Sequence, residues 1–324
     1  MKKLIFVTVI TAISMSVSLT AAKAECGDIS IGAMGWASGE AIAAVATFVL
    51  EHGYGCSVLV VPTDTVPAMK SLAENSHPDV VLEVWKNSAP VYDELEASGK
   101  VITASDVFLN GFEHGWWIPT SLAEKHPELK TIEGVLANPG LIGSRFHNCP
   151  IGWGCRIVND NLKVVFQLEA NGIEVFDHIS GADLGASIAA SFADNEPWFG
   201  YYWGPTASFG KYEMTRVDIG NVDPAQHGIN HNPVSPKDKL EPSGFPSVPV
   251  LNAATADLAK REPEVFEFFQ NMSFPNEIIS KMLAWKEANN ASTSEAAAWI
   301  LTNHKEVILS WVNDHANAKL KKLL

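Results

Sequence analysis

The chain lacks the marks of an enzyme. It contains no His-Glu-x-x-His, no Gly-x-Ser-x-Gly and no phosphate-binding loop, and its ten histidines show no metal-ligand spacing. Gly152 and Gly154 resemble the start of a dinucleotide loop, but position 157, where the third glycine belongs, is Ile. No cofactor, no metal and no chemistry are therefore expected. Basic residues are also scarce. Lysine and arginine number 23 against 37 aspartates and glutamates, a formal charge of −14, which argues against nucleic acid or an anionic membrane face as a partner. Beyond residue 24 no apolar run reaches the roughly 18 residues needed to span a bilayer. Internal repeats at solenoid periods and low-complexity segments are missing too.

What is present begins with a leader. Lys2 and Lys3 precede an apolar run over residues 4–20 and then Ala22-Lys23-Ala24, the pattern of a secretory signal cleaved after Ala24. Ala24-Glu25 before Cys26 does not read as a lipid-attachment box, so an exported protein of the periplasm is expected. Four cysteines in an oxidising compartment favour two disulfides. Cys149 with Cys155 and Cys26 with Cys56 are the favoured pairs, while sequence alone leaves the other pairings open. The first pair would disarm Cys149 as a thiol nucleophile beside His147. About 300 mature residues exceed what one core usually serves. Two lobes follow, one from 25–117 plus 217–324 and the other from 118–216, with residues 1–24 as the leader.

Along the chain, apolar strands alternate with amphipathic helices: strands at 28–34, 57–61 and 79–85, helices at 38–52 and about 65–75. Such alternation means an α/β fold, a mostly parallel sheet flanked by helices. Strands at 100–109 and 111–119 lead to the second lobe. There, helices over 120–137 and 182–193 and strands at 141–145, 174–177 and 198–203 repeat the pattern. Helices over 262–271, 276–289, 293–302 and 305–321 close the chain.

In sheets of this kind ligands sit beyond the carboxyl ends of the strands. Trp36, Trp85 and Trp203 fall at such ends, and Trp153 lies in the loop Cys149-Pro150-Ile151-Gly152-Trp153-Gly154-Cys155. Two of these tryptophans come from each lobe. A quaternary ammonium has no N–H to donate, so a protein holds it on aromatic faces. Three or four rings at about 1 to 2 kcal/mol each approach the roughly 8 kcal/mol of micromolar binding only before the ordering cost, so a second anchor is needed. The N–H groups of Gly154 and Cys155, opening the next helix, suit a carboxylate. Glu83, two residues before Trp85 on an apolar strand, points to the same side as that ring. It suits either the cationic end of a ligand or an inter-lobe salt bridge. Asp64 reads as the N-cap of the helix that follows it. Trp116, Trp117 and Trp198 read as hinge or core, and Trp285, Trp299 and Trp311 as helix packing.

The disulfide-bracketed Gly-Trp-Gly loop, together with Tyr201-Tyr202-Trp203-Gly204-Pro205 and Val84-Trp85, resembles the periplasmic glycine betaine/choline-type substrate-binding proteins of ABC importers. That resemblance implies a two-lobe Venus-flytrap fold of type II, closing on a small quaternary or tertiary ammonium ligand and presenting it to a membrane permease. It carries Trp85, Trp153 and Trp203 over as the aromatic cage, with Trp36 as an addition found in some branches, and the backbone of Gly154 and Cys155 as the carboxylate grip. Some members place a His four residues beyond the tryptophan matching Trp85, where this chain has Ala89. Glycine betaine is the first choice of ligand, with choline and trimethylamine N-oxide as alternatives. A monomer is expected, serving either a permease or, as a sensor subunit, a receptor kinase.

Overall fold

The structure, a computed structural model, describes residues 26–109, 113–247 and 249–324; the leader expected over 1–24 lies outside them. Among the described residues ten strands form two sheets: β1 Asp28–Met34, β2 Ser57–Thr63, β3 Val80–Trp85, β4 Val101–Asp106, β5 His114–Pro119, β6 Arg145–Asn148, β7 Glu174–Asp177, β8 Gly200–Trp203, β9 Met214–Arg216 and β10 Val250–Thr255. The first sheet runs β2-β1-β3-β10-β4 and the second β7-β6-β8-β5-β9. In each sheet one strand is reversed: β10 lies antiparallel to β3 and β4, and β5 antiparallel to β8 and β9.

The burial of each strand follows from its place. β1 and β3 are central and read as near-continuous apolar runs, the mark of a strand covered on both faces. β2 is an edge, and there Pro62 needs no ladder partner and Leu59 stays exposed. In the second lobe Trp116 packs on Phe146, ring centroids 4.5 Å apart, and Phe146 on Phe199 at 5.2 Å. Trp116, Trp117 and Trp198 are thus core. Each also satisfies its buried indole N–H, on Asn159, the Tyr202 carbonyl and Ser187.

Strand pairing moves both crossings between the lobes. β5 lies wholly in the second sheet, so His114 to Trp117 belong there and the chain crosses between β4 and β5. The return is later than residue 217. Asp218 bridges to Thr131, and the helix Pro224–Asn230 packs on the helix Gly154–Val165, so the first sheet is rejoined only at β10. That strand and the helix before it are hidden in a stretch rich in Pro, Asn and Gly, whose turn residues mask a short apolar run. Elsewhere the strand expected at 141–145 is a turn, Pro139–Ile142, with β6 starting at Arg145. The helix expected over 305–321 is broken, because the Asn313 side chain caps a new helix, Asp314–Leu320, by accepting from the Ala316 N–H.

Both disulfides form, Cys26–Cys56 and Cys149–Cys155. The first ties the start of β1 to the start of β2, two parallel neighbours. It spans 30 residues, so replacing both cysteines by alanine should lower unfolding free energy by about 2 to 4 kcal/mol. Denaturant titration of the oxidised protein measures this, and an unchanged midpoint would show that the bond adds nothing to the fold.

Candidate ligand-binding pocket

The pocket lies between the sheets, at the carboxyl ends of β1, β3 and β8. Trp36 directly follows β1 and precedes the helix Ala37–Val49. Trp85 ends β3 and Trp203 ends β8. Trp153 comes from the disulfide loop, immediately before the helix Gly154–Val165. Gly152 in that loop has φ +95°, a backbone that other residues rarely adopt, and its carbonyl accepts from the Val66 N–H of the opposite lobe at 3.0 Å. Trp153 meets Trp36 across the cleft edge-to-face, centroids 5.1 Å apart at 71°, and Trp203 of its own lobe at 5.0 Å and 81°.

All four tryptophans, with Gly154 and Cys155, border one small space between the lobes. Thr65, Ser88 and Tyr201 complete the wall. Nothing in the spacing of Thr65 or Ser88 announces them, whereas Tyr201 stands two residues before Trp203 on the same strand and was there to be found. The first N–H groups of the helix, those of Gly154 and Cys155, have no carbonyl one turn back to bond. A Cβ on Gly154 would overlap the Ser88 carbonyl; only glycine allows the two lobes to meet at this point.

Glu83 is the one candidate outside that wall. It lies behind the rings, fully buried, and one carboxylate oxygen accepts from Trp36 Nε1 at 2.6 Å, Ser38 Oγ at 2.9 Å and Trp85 Nε1 at 3.4 Å. Its backbone has φ +56°, and the register of β10 against β3 shifts at this point, so two residues of β3 face one of β10. Such a bulge re-aims side chains at a strand end. Burial pushes the Glu83 carboxyl up to about 7, against the pull of the three donors.

Asp64 behaves in a similar way. It occupies the N-cap position of the helix Thr65–Asn75, yet its side chain makes no capping bond there. Instead it accepts the Trp153 Nε1–H from the other lobe at 3.1 Å, and burial raises its carboxyl above the usual range. Three of the four cage indoles therefore donate their N–H to a carboxylate. Each such bond fixes a ring and places a carboxyl group at its Nε1 edge.

Further back, the Trp85 ring packs against His114, centroids 5.8 Å apart. The His114 ring nitrogens meet Tyr201 Oη at 3.2 Å and Asn87 Nδ2 at 2.6 Å. Asn87 belongs to the turn Lys86–Ser88, which projects from β3 into the second lobe beside His114, His227 and His231. Among the described residues no group of His, Cys, Asp or Glu could hold a metal ion, and no helix is long and apolar enough to cross a membrane.

With this geometry in view, comparison decides the family. Residues 27–303 match the family described as the substrate-binding domain of the ABC-type glycine betaine transport system. The chain belongs to that family. It is a family of substrate-binding transport proteins, not of enzymes, and such proteins work outside the cytoplasm with an ABC permease. Comparison with curated proteins gives no match. Among solved structures, the glycine betaine/L-proline-binding protein ProX of Borrelia burgdorferi is similar at 16% identity and TM-score 0.71, over 90% of this chain and 99% of that one. A choline-binding protein of an ABC transporter, in complex with choline, matches at 20% identity and TM-score 0.72, over 91% and 97%. Lactococcal OpuAC, closed on glycine betaine, matches at 17% and 0.68, over 89% and 100%. These likenesses establish the two-lobe binding-protein fold.

Burial holds His114 and His147 down to about 3, and His227 and His231 to about 4. Unfolded, they take up protons near pH 6.5, so between roughly pH 4 and 6.5 the unfolded chain binds more protons and stability rises with pH. Glu83, raised to about 7, and Asp64, also raised by burial, have the opposite sign, two groups against four. Tm should therefore fall between pH 7 and pH 5 in scanning calorimetry; a rise would mean that the histidines are not what titrates.

Proposed function

We propose that this protein captures a methylated-ammonium solute, glycine betaine first, in the periplasm and hands it to an ABC permease as a monomer without altering it. The observation that carries the reading is the arrangement of four indoles from two lobes around one small pocket, with the first N–H groups of a helix at its edge. The faces of Trp36, Trp85, Trp153 and Trp203 suit a cation that cannot donate hydrogen bonds. Donation of the indole N–H groups to Glu83 and Asp64 makes the rings richer in electrons, and neither carboxyl group takes a ligand-facing position. Gly154 and Cys155 suit the anionic end of a zwitterion, helped by the positive end of the helix dipole.

A second reading, choline as the ligand, draws on the same two carboxylates, since negative charge at the indole edges favours a net cation over a zwitterion; trimethylamine N-oxide, dipolar like glycine betaine, is the other alternative. The similar choline-bound structure is consistent with it.

Calorimetry against glycine betaine, choline, carnitine and trimethylamine N-oxide tests the proposal; if none binds more tightly than about millimolar, about 4 kcal/mol, it fails. Trp153→Ala and Trp203→Ala should each weaken binding at least tenfold, roughly 1.4 kcal/mol, and unchanged affinity in both would remove the cage. Glu83→Gln retains the acceptor for the indoles but not the charge. It is expected to weaken choline more than glycine betaine, and equal losses would show that the carboxylate only positions the rings.

A further inference from the structure

Ser88 stands in the pocket wall with a hydroxyl that nothing among the described residues engages. The residue is only 5% exposed, and its Oγ has no hydrogen-bond partner among the described residues. A buried hydroxyl left in this way costs about 1 to 3 kcal/mol, so an unpaired one on a residue that borders the pocket points to a group supplied from outside. Glu83 Oε2, Asn87 Oδ1 and His231 Nε2 are also buried without a partner among the described residues, but of these residues Ser88 alone borders the pocket.

Its position narrows what that group is. Ser88 belongs to the first lobe, at the end of the turn Lys86–Ser88, and Gly154 to the second. A Cβ built on Gly154 would stand 2.7 Å from the Ser88 Cβ, so the serine side chain and the helix start share one corner of the pocket. That corner offers the Ser88 O–H and the first two helix N–H groups, three donors from two lobes, and no lysine or arginine borders the space. Three convergent donors suit an oxygen that only accepts.

We propose that Ser88 is a specificity-determining residue, its hydroxyl donating to a carboxylate or N-oxide oxygen of the ligand that the Gly154 and Cys155 N–H groups grip from the other lobe. The inference rests on reading the cage as a methylammonium site, and deepens it: the favoured substrates are zwitterionic or dipolar methylated ammonium compounds. The hydroxyl of choline, a weaker acceptor carrying its own proton, leaves part of the donor set unmatched. Because the oxygen touches both lobes, the same contact couples recognition to closure.

The experiment titrates wild type and Ser88→Ala, by calorimetry, with glycine betaine and with tetramethylammonium, which has the same cationic head and no acceptor. Loss of at least tenfold in glycine betaine affinity, with tetramethylammonium affinity within twofold of wild type, is the expected result. Equal loss for both probes, or no loss for either, overturns the role of Ser88 while leaving the cage standing. Should the wild-type protein bind neither probe, the methylammonium reading itself falls and this inference with it. The thermal transition of Ser88→Ala, run beside the titrations, separates a folding defect from lost recognition, and Ser88→Thr, which keeps the hydroxyl, should retain the preference for glycine betaine over tetramethylammonium.

Discussion

The pocket depends on a carboxylate placed where water cannot reach it. Glu83 interrupts an otherwise apolar strand, sits on a bulge with a left-handed backbone and is fully buried. Both the burial and the backbone carry a cost, and strain of this sort persists only where the surroundings over-determine it. Here they do: two indoles and a serine converge on one oxygen. The arrangement fixes Trp36 and Trp85, from different strands, relative to each other. Asp64 performs the same service for Trp153, but across the cleft. The difference matters, since the first pair of rings is set within one lobe while the third is locked only when the lobes meet.

Closure itself is built on small groups. The turn Lys86–Ser88 enters the second lobe because Gly154 has no side chain to stop it, and Asn87 then bonds His114 on the far side. Gly181 is similar: a Cβ there would come within 2.8 Å of the Trp153 ring. Glycines at these positions let indoles and backbone approach to contact distance, so the walls of the pocket are hard and its size is defined.

Much of this was legible beforehand. Alternating apolar strands and amphipathic helices state the two-lobe α/β fold, and strand ends marked by tryptophan state where its cleft opens. Both disulfides, the four tryptophans that meet at the pocket and the helix start at Gly154 could be named from local pattern. The crossings could not, because β5 and β10 join sheets through long-range antiparallel pairing that leaves no local trace, and β10 lies beyond a stretch of turn residues. Asp64 was misread for a good reason. A residue at an N-cap position is expected to cap, and only the other lobe reveals what its carboxylate does instead. Ser88 was invisible because an unpaired hydroxyl is a property of the packed interior, not of the residue type.

The edge-to-face contact between Trp36 and Trp153 has an optical consequence. These two chromophores belong to different lobes and stand 5.1 Å apart, close enough for their excited states to couple. Opening the cleft separates them and exposes both to water. The protein thus carries an intrinsic gauge of its own closure, read in tryptophan emission and circular dichroism without any label.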